Sequence, residues 1–390
     1  MTKKKKKVEN VVEESTYQKI IKVESVDSSE REKALEYITN DIKQNMGTFD
    51  KKEELIFVPT RLMSFNRASV LGGWPMGTIG EAHGPNAAGK TIIGIELLQS
   101  FIELGHIGVF CDAERAAADK KWISQGLGLD LSKCIYFVPD NIEDASERIN
   151  KMINNFKEAK AKKKVDEKLL MFILVDSATK LVPDEMIKNG LKKTSMGLQA
   201  RMFSLWLKSL TTLVGPKENE QPCVSILFIN QERKNIGAKP WEPQYYSTCG
   251  EALQYDATVR MRVSFAGKVK EGEEKVGKKH KIVVEKNKVG FPDSEGYFYT
   301  SNGKGIVPLG IDFYREAIDE CLLAGIFTKE GNFISSKMFD IKMQEKKLIK
   351  YLMENPKIMN KIRQVHQEMV LNGEVSYNFN SDDLEESLDE

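Results

Sequence analysis

The sequence predicts an α/β fold on a central, mostly parallel sheet, and three observations carry that expectation. Nearly all-apolar runs recur at Gly108–Asp112, Leu169–Val175 and Val224–Ile229, the composition of strands buried on both faces. A helical stretch, about Glu143 to Lys160, separates the first of these from the second, so strands and helices alternate and crossovers replace hairpins. The third is GPNAAGKT, Gly84–Thr91, which fits G-x-x-x-x-G-K-[ST]. A short strand, Thr78–His83, leads into it and a helix at apolar spacing, Ile92–Glu103, leads out, as a phosphate-cradling loop requires.

The residue types of that loop follow from phosphate chemistry. Gly84 and Gly89 let the backbone turn successive N–H groups toward an anion, with Pro85, Asn86, Ala87 and Ala88 forming the cradle between them. The helix beginning near Ile92 adds its positive end. Lys90 meets the β- and γ-phosphates of a nucleoside triphosphate, and the Thr91 hydroxyl ligates Mg²⁺.

Taken in order, residues 1–28 read as a basic, mobile tail. Ser29–Glu32 has capping-box form, and Ala34, Leu35, Ile38 and Ile42 make one face of a helix ending near Gly47. That face can close on its own core or dock on a neighbouring subunit. Leu55–Val58 is a short strand, and Leu71–Gly77 a turn-rich approach to the strand before the glycine-rich loop. Ile135–Val138 is a further strand, and Lys160–Lys168 a charged crossover. Val259–Val263, Lys281–Val284 and Gly296–Thr300 read as later strands, with a Lys/Glu/Gly-rich hairpin between the first two. From about Pro308 the pattern turns helical, with Ile311, Tyr314, Ala317, Ile318, Cys321 and Leu322 apolar.

Composition narrows the function classes. The chain has 390 residues, 41% hydrophobic and 29% charged, enough for a full core and more than one domain. No apolar run reaches bilayer length and no signal peptide opens the sequence, so a soluble, cytoplasmic protein without membrane contact is expected. Five scattered cysteines without C-x-x-C spacing read as reduced thiols. The net charge of +1 hides a basic block, Lys3–Lys7, and an acidic end, Ser381–Glu390. The basic block suits an import signal as well as a nonspecific arm.

Several side chains stand where open α/β sheets place ligands, at the carboxyl ends of strands. Asp176 closes an apolar strand downstream of the glycine-rich loop and is expected to hold Mg²⁺ opposite Thr91. Glu114 ends a neighbouring strand, where it can activate the attacking water or simply cap a helix. Gln231 ends the next one, where its amide can touch a γ-phosphate. Two segments lack a regular pattern, Lys188–Gly197 and Glu232–Gly250. The first offers Lys188, Lys192 and Lys193. The second offers Arg233, Lys234, Ile236, Lys239, Trp241 and two tyrosines. Cations together with apolar wedges suit single-stranded nucleic acid, and long patternless loops in a compact domain are functional or disordered.

The order of these features resembles the bacterial RecA-type recombinases and their phage relatives, from about Glu32 to Val370. GGWPMGTIGEAHGPNAAGKT resembles the family's approach to its phosphate loop, CDAER its D-A-E-H, and LVDSATKLVP its Mg²⁺-binding strand. SMGLQARM resembles S/H-M-G-L-x-A-R-M, LFINQERKNIG the stretch opening the second DNA-binding loop, and VVEKNKVGFP the strand V-V-K-N-K-I-A-x-P. The resemblance implies a RecA-like P-loop NTPase core at 61–307 with two DNA-binding loops. It also implies an N-terminal helix and strand for subunit contact at 29–60, a small C-terminal α+β domain at 308–373 and an acidic tail at 374–390. ATP and Mg²⁺ are the implied cofactors. The implied partners are single-stranded DNA, homologous double-stranded DNA and further copies of the chain in a helical filament.

Residue by residue, the resemblance makes Glu114 the catalytic glutamate and Gln231 the couple between γ-phosphate and second loop. Lys286 and Lys288 would act on the adjacent subunit's ATP, with Tyr255 at that contact. Met196 and Ile236 would be wedges between base triplets. Ser195, Gly197, Arg201, Arg233, Lys234, Asn235, Gly237 and Gly250 would lie along the DNA path. Asp119 and Trp122 would meet the adenine. The chain departs from the pattern at Cys249-Gly250, where paired glycines are usual, and in the longer spacing from Glu114 to Gly128. A DNA-dependent ATPase that pairs and exchanges homologous strands is the leading reading. A hexameric helicase or another motor on the same core is the alternative. A DNA-binding regulator without hydrolysis is a third, disfavoured by the joint presence of Lys90, Glu114 and Asp176.

Overall fold

The computed structural model describes residues 56–115, 122–189, 197–216, 220–235, 237–239, 241, 245–247 and 251–375. The chain divides into two units, Met1–Glu53 and Glu54–Glu390, and every described residue lies in the second. The expected helix of residues 29–47, the basic N-terminal tail and residues 376–390 of the acidic tail fall outside the described residues.

The first elements are β1 (Phe57–Val58), α1 (Met63–Ala68), β2 (Trp74–Pro75), β3 (Ile79–His83), α2 (Lys90–Glu103) and β4 (Ile107–Asp112). Then come β5 (Ile135–Phe137), α3 (Ile142–Ala161), β6 (Met171–Asp176), α4 (Asp184–Asn189), α5 (Leu198–Val214) and β7 (Val224–Ile229). A short ribbon, β8 (Glu232–Lys234) with β9 (Tyr245–Ser247), precedes α6 (Ala252–Asp256), β10 (Val259–Glu271), β11 (Glu274–Asn287) and β12 (Ser294–Ser301). The C-terminal elements are β13 (Gly310–Ile311), α7 (Phe313–Leu323), β14 (Thr328–Glu330), β15 (Phe333–Ser336), β16 (Ile341–Gln344), α8 (Glu345–Glu354) and α9 (Pro356–Leu371).

The main sheet runs β13-β12-β11-β10-β3-β7-β6-β4-β5. From β5 to β10 every neighbour is parallel, whereas β10 to β13 are antiparallel. The mostly parallel α/β fold is therefore present, with one correction. The later strands leave the two-sided pattern because the inner parts of β10 and β11 alternate buried and partly exposed residues, which suits a sheet wet on one face. They are also far longer than the apolar cores Val259–Val263 and Lys281–Val284 suggest. Backbone pairing carries the hairpin onward through Lys-rich sequence, with Lys268 opposite Lys278.

Helix α2 is buried nearly all round, through Ile93, Ile95, Leu97, Leu98 and Phe101, as a helix behind a central sheet must be. Its Gly94 allows that approach, since a Cβ there would come 2.8 Å from Leu174 Cδ1. Helix α3 is capped by Asn141, whose side chain accepts the Asp144 N–H at 2.7 Å. It buries Ile142, Ala145, Ile149, Ile153 and Phe156 on one stripe. The stretch before β3 is more than turns. It holds α1 and the β1–β2 pair, and Trp74 stacks at 6.2 Å on Phe65 and meets Phe172 edge-on at 5.6 Å. A second apolar core joins Met63 to Ala317, Ile318, Phe327, Leu348, Ile349 and Ile362. Beside it, Arg67 makes a two-pronged buried ion pair with Glu320, at 2.7 and 2.9 Å, tying α1 to α7.

Candidate functional site

Strands β3, β4, β6 and β7 are parallel neighbours or near neighbours, so their carboxyl ends converge on one edge. The loop Gly84–Gly89 leaves that edge and turns into α2. Two of its glycines are dictated by geometry. Gly84 has φ +147 with Val263 O 2.0 Å from where a Cβ would sit, and Gly89 has φ +104 with His280 Nδ1 at 2.9 Å. Asn86 and Ala87 are exposed, Pro85 and Ile92 partly so, and Ala88 is buried. The loop is propped from β11. Ala88 O can only accept, so His280 donates to it from Nδ1 at 2.7 Å, leaving Nε2 to accept from the Thr300 hydroxyl at 3.0 Å. Burial lowers the pKa of His280, in keeping with that neutral tautomer.

Lys90 folds its ammonium back onto the loop, donating to Gly84 O at 2.9 Å and Pro85 O at 2.6 Å. Burial pushes its pKa down, with Asp176, Glu232 and Glu114 pulling the other way. A cation held by two carbonyls in a tight loop is poised for a stronger anionic partner. The Thr91 hydroxyl donates to Asp176 Oδ2 at 2.7 Å. Asp176 is 2% exposed, and its Oδ1 is buried without a hydrogen-bond partner among the described residues. Burial, reinforced by Glu114 and Asp112, raises its carboxyl to about 7. Asp112 is its register partner on β4 and accepts a hydrogen bond from the Tyr136 hydroxyl at 3.1 Å.

An orphaned carboxylate oxygen beside a hydroxyl is a donor set that fits a hard divalent cation. No group of three or more His, Cys, Asp or Glu among the described residues is arranged to hold a metal. An ion at Thr91 and Asp176 would thus need phosphate oxygens and water to complete its shell.

Glu114 follows β4. Its N–H donates to Asp176 O at 2.9 Å, and its Oε1 accepts from Ser177 Oγ at 3.1 Å and Gln231 Nε2 at 3.2 Å. Four sequence-predicted groups thus meet at one sheet edge: Thr91 and Asp176 in one pair, Glu114 and Gln231 in another. Ser177, Tyr136 and His280 belong to the same assembly and were not anticipated. Their signal is three-dimensional, since each works by meeting a residue from another strand.

The expected DNA and subunit residues are placed more unevenly. Lys188 sits in α4 and not in a patternless loop, paired with Asp184 at 2.6 Å. Gly197 caps α5 with φ +83, and Arg201 lies exposed in its first turn. The Glu232–Gly250 segment is likewise not irregular throughout, for Glu232–Lys234 pairs with Tyr245–Ser247. Arg233 is exposed, Asn235 half-buried, and Gly237 exposed with φ +95. Trp122 starts a short helical turn, Trp122–Gly126. Asp119, Lys192, Lys193, Ser195, Met196, Ile236 and Gly250 lie outside the described residues, as does the side chain of Lys234. Lys286 and Lys288 share one target: both ammonium groups reach Tyr255 O, at 2.8 and 3.4 Å, and Lys286 also takes Gln254 O at 2.8 Å. Tyr255 itself is 65% exposed. No helix of the described residues is long and apolar enough to cross a membrane.

Comparison with known proteins shows the family of the chain. A family model described as the RecA N-terminal domain matches residues 32–307. Protein RecA of Acinetobacter baylyi is 31% identical over 332 residues, 85% of this chain and 88% of that protein. Protein RecA of Aquifex aeolicus is 31% identical over 347 residues, covering 87% and 93%. Protein RecA of Bacteroides thetaiotaomicron is 32% identical over 315 residues, covering 79% and 88%. With the family model spanning well over half of the sequence, this chain belongs to the RecA family.

Proposed function

We propose that the protein is a DNA-dependent ATPase that assembles as a helical filament on single-stranded DNA and catalyses homologous pairing and strand exchange, in the cytoplasm. The observation that carries this reading is the Glu114–Gln231 hydrogen bond at 3.2 Å. It joins the group placed to activate water to the residue from which the β8–β9 ribbon departs.

In this reading Gly84–Thr91 and Ile92 cradle the triphosphate, with Asp119 and Trp122 toward the adenine. Lys90 leaves its two loop carbonyls for the β- and γ-phosphates. Thr91 and Asp176 would hold Mg²⁺, which when bound would neutralise charge on the phosphate oxygens. Glu114 orients a water toward the γ-phosphorus and takes its proton as the bond to the bridging oxygen breaks, giving ADP and phosphate. Gln231 senses the γ-phosphate. Lys188, Lys192, Lys193, Ser195, Met196, Gly197, Arg201 and the segment from Arg233 to Gly250 follow the DNA strand. Lys286, Lys288 and Tyr255 face the next subunit, as does the segment 29–60. Residues 308–373 are read as the small C-terminal domain ahead of the acidic tail.

The test is ATP turnover with and without single-stranded DNA, run beside a strand-exchange assay on homologous duplex. DNA-stimulated turnover with exchange is expected. Turnover indifferent to DNA, or unwinding without exchange, would reject the reading.

A further inference from the structure

A second charged cluster sits at the end of β3, one residue before the phosphate loop, and the nucleotide site does not use it. Both ring nitrogens of His83 face carboxylates: Nδ1 lies 2.7 Å from Glu232 Oε1 and Nε2 lies 2.9 Å from Glu285 Oε2. A neutral imidazole has a single N–H and satisfies one such partner, so two carboxylates select the imidazolium. Around it, Arg262 donates to Glu232 at 3.0 and 3.3 Å. Arg260 donates to Glu81 and to Glu285, each at 2.6 Å. Three cations therefore face three carboxylates: Glu81 from the same strand, Glu232 from the ribbon, Arg260 and Arg262 from β10, and Glu285 from β11. The side chains of His83 and Glu232 are only 3% and 4% exposed, and that of Glu81 is fully buried.

The location gives the cluster its consequence. Glu232 directly follows Gln231, and its N–H donates at 3.2 Å to Gly84 O, the carbonyl that also takes the Lys90 ammonium. Arg262 lies 5.3 Å from the Tyr245 ring, so both strands of the ribbon are gripped. Glu285 directly precedes Lys286 and sits where the β10–β11 register slips, with Arg260 opposite Lys286 but Met261 opposite Val284. One ionic cluster thus joins the strand feeding the phosphate loop, the foot of the ribbon and the strand bearing Lys286.

We propose that His83 is a positioning residue: as an imidazolium it latches the foot of the β8–β9 ribbon, through Glu232, to the phosphate-loop strand, and it frees that foot on losing its proton. Deprotonation would leave three carboxylates facing two guanidinium groups, an uncompensated charge in a mostly buried place, which is costly. Burial works against the charged ring, but its bonds to Glu232 and Glu285 win and raise the His83 pKa above its usual 6.5. The same bonds, with Arg262, hold Glu232 at about 2 despite burial. For a raised histidine the latch is complete below the usual pKa and is lost as pH climbs through the raised one.

The latch rests on the proposed function only in that the ribbon is read as a DNA contact, so its test needs no DNA. Limited trypsin cleavage of the full chain at Arg233 and Lys234, mapped by mass spectrometry, is divided by cleavage at the exposed Lys163 turn, from about pH 6.5 to about 9. In the unaltered protein the ratio should rise severalfold with pH. His83→Gln and Glu232→Gln should give a ratio about tenfold higher at low pH and no rise thereafter. A wild-type ratio flat across the range overturns the latch, and so does a His83→Gln ratio equal to wild type at low pH. The wild-type titration decides the matter even if a variant folds poorly. Binding of labelled single-stranded DNA with a non-hydrolysable ATP analogue is the second arm. If wild type shows no nucleotide-stimulated affinity while cleavage still follows pH, the DNA reading fails and the latch stands.

Discussion

Glu114 is the junction of the proposed site, where its Oε1 accepts from both Ser177 and Gln231. Glu114→Gln retains shape and hydrogen-bonding capacity but cannot take a proton. Nucleotide affinity should stay within a few-fold of wild type while turnover falls by roughly 10²–10⁴. Equilibrium nucleotide binding beside steady-state ATP hydrolysis separates the two, and a variant that no longer bound nucleotide would make Glu114 structural. Lys90, Thr91, Asp176, Glu114 and Gln231 were all legible in sequence, since each sits at a fixed place relative to a strand end or a glycine loop. His280, Tyr136 and Ser177 were not. Their roles arise from cross-strand neighbours such as Ala88, Asp112 and Glu114, and no local spacing encodes those meetings.

At the scale of elements, the seam between α1 and α7 makes a pH-dependent contribution to stability. Glu316 on α7 accepts the Ser64 N–H at 2.5 Å, and burial, with Glu320 nearby, raises its carboxyl from 4.5 to about 8. A raised acid binds a proton more tightly folded than unfolded. Its stabilising effect is therefore full below pH 4.5 and is lost as pH rises through about 8. Glu316→Gln keeps a neutral amide and removes that loss. Urea unfolding at several pH values should show the variant gaining on wild type across this window, and a constant difference would contradict the assignment.

The ribbon gives a separate test. Arg233→Ala should flatten the slope of log affinity for single-stranded DNA against log salt by about 0.7, one phosphate contact. Ile236→Ala removes no charge and should leave the slope unchanged while impairing strand exchange more than ATP turnover. An unchanged slope for Arg233→Ala would take that residue off the DNA path. The ribbon itself was missed because three-residue strands in Lys- and Tyr-bearing sequence carry no hydrophobic alternation. The β10–β11 hairpin was cut short for the same reason: its outer half is held by backbone pairing between lysines, not by an apolar face.

For the whole molecule, the parallel half of the sheet is readable because buried strands must be apolar, and the antiparallel extension is readable as strands and a hairpin but not in its full length, because one wet face dilutes that signal. Lys286 and Lys288 reach together to the carbonyl of exposed Tyr255, and the proposed role for them is across a subunit boundary. Mixing Lys286→Ala/Lys288→Ala protein with Glu114→Gln protein should restore part of the hydrolysis at mixed interfaces. No recovery at any ratio, with co-assembly confirmed, would refute action in trans. The most direct measurement is electron microscopy of the chain with single-stranded DNA, Mg²⁺ and a non-hydrolysable ATP analogue. Continuous helical filaments on the DNA are the expected result, and closed rings or DNA bare of protein would contradict it.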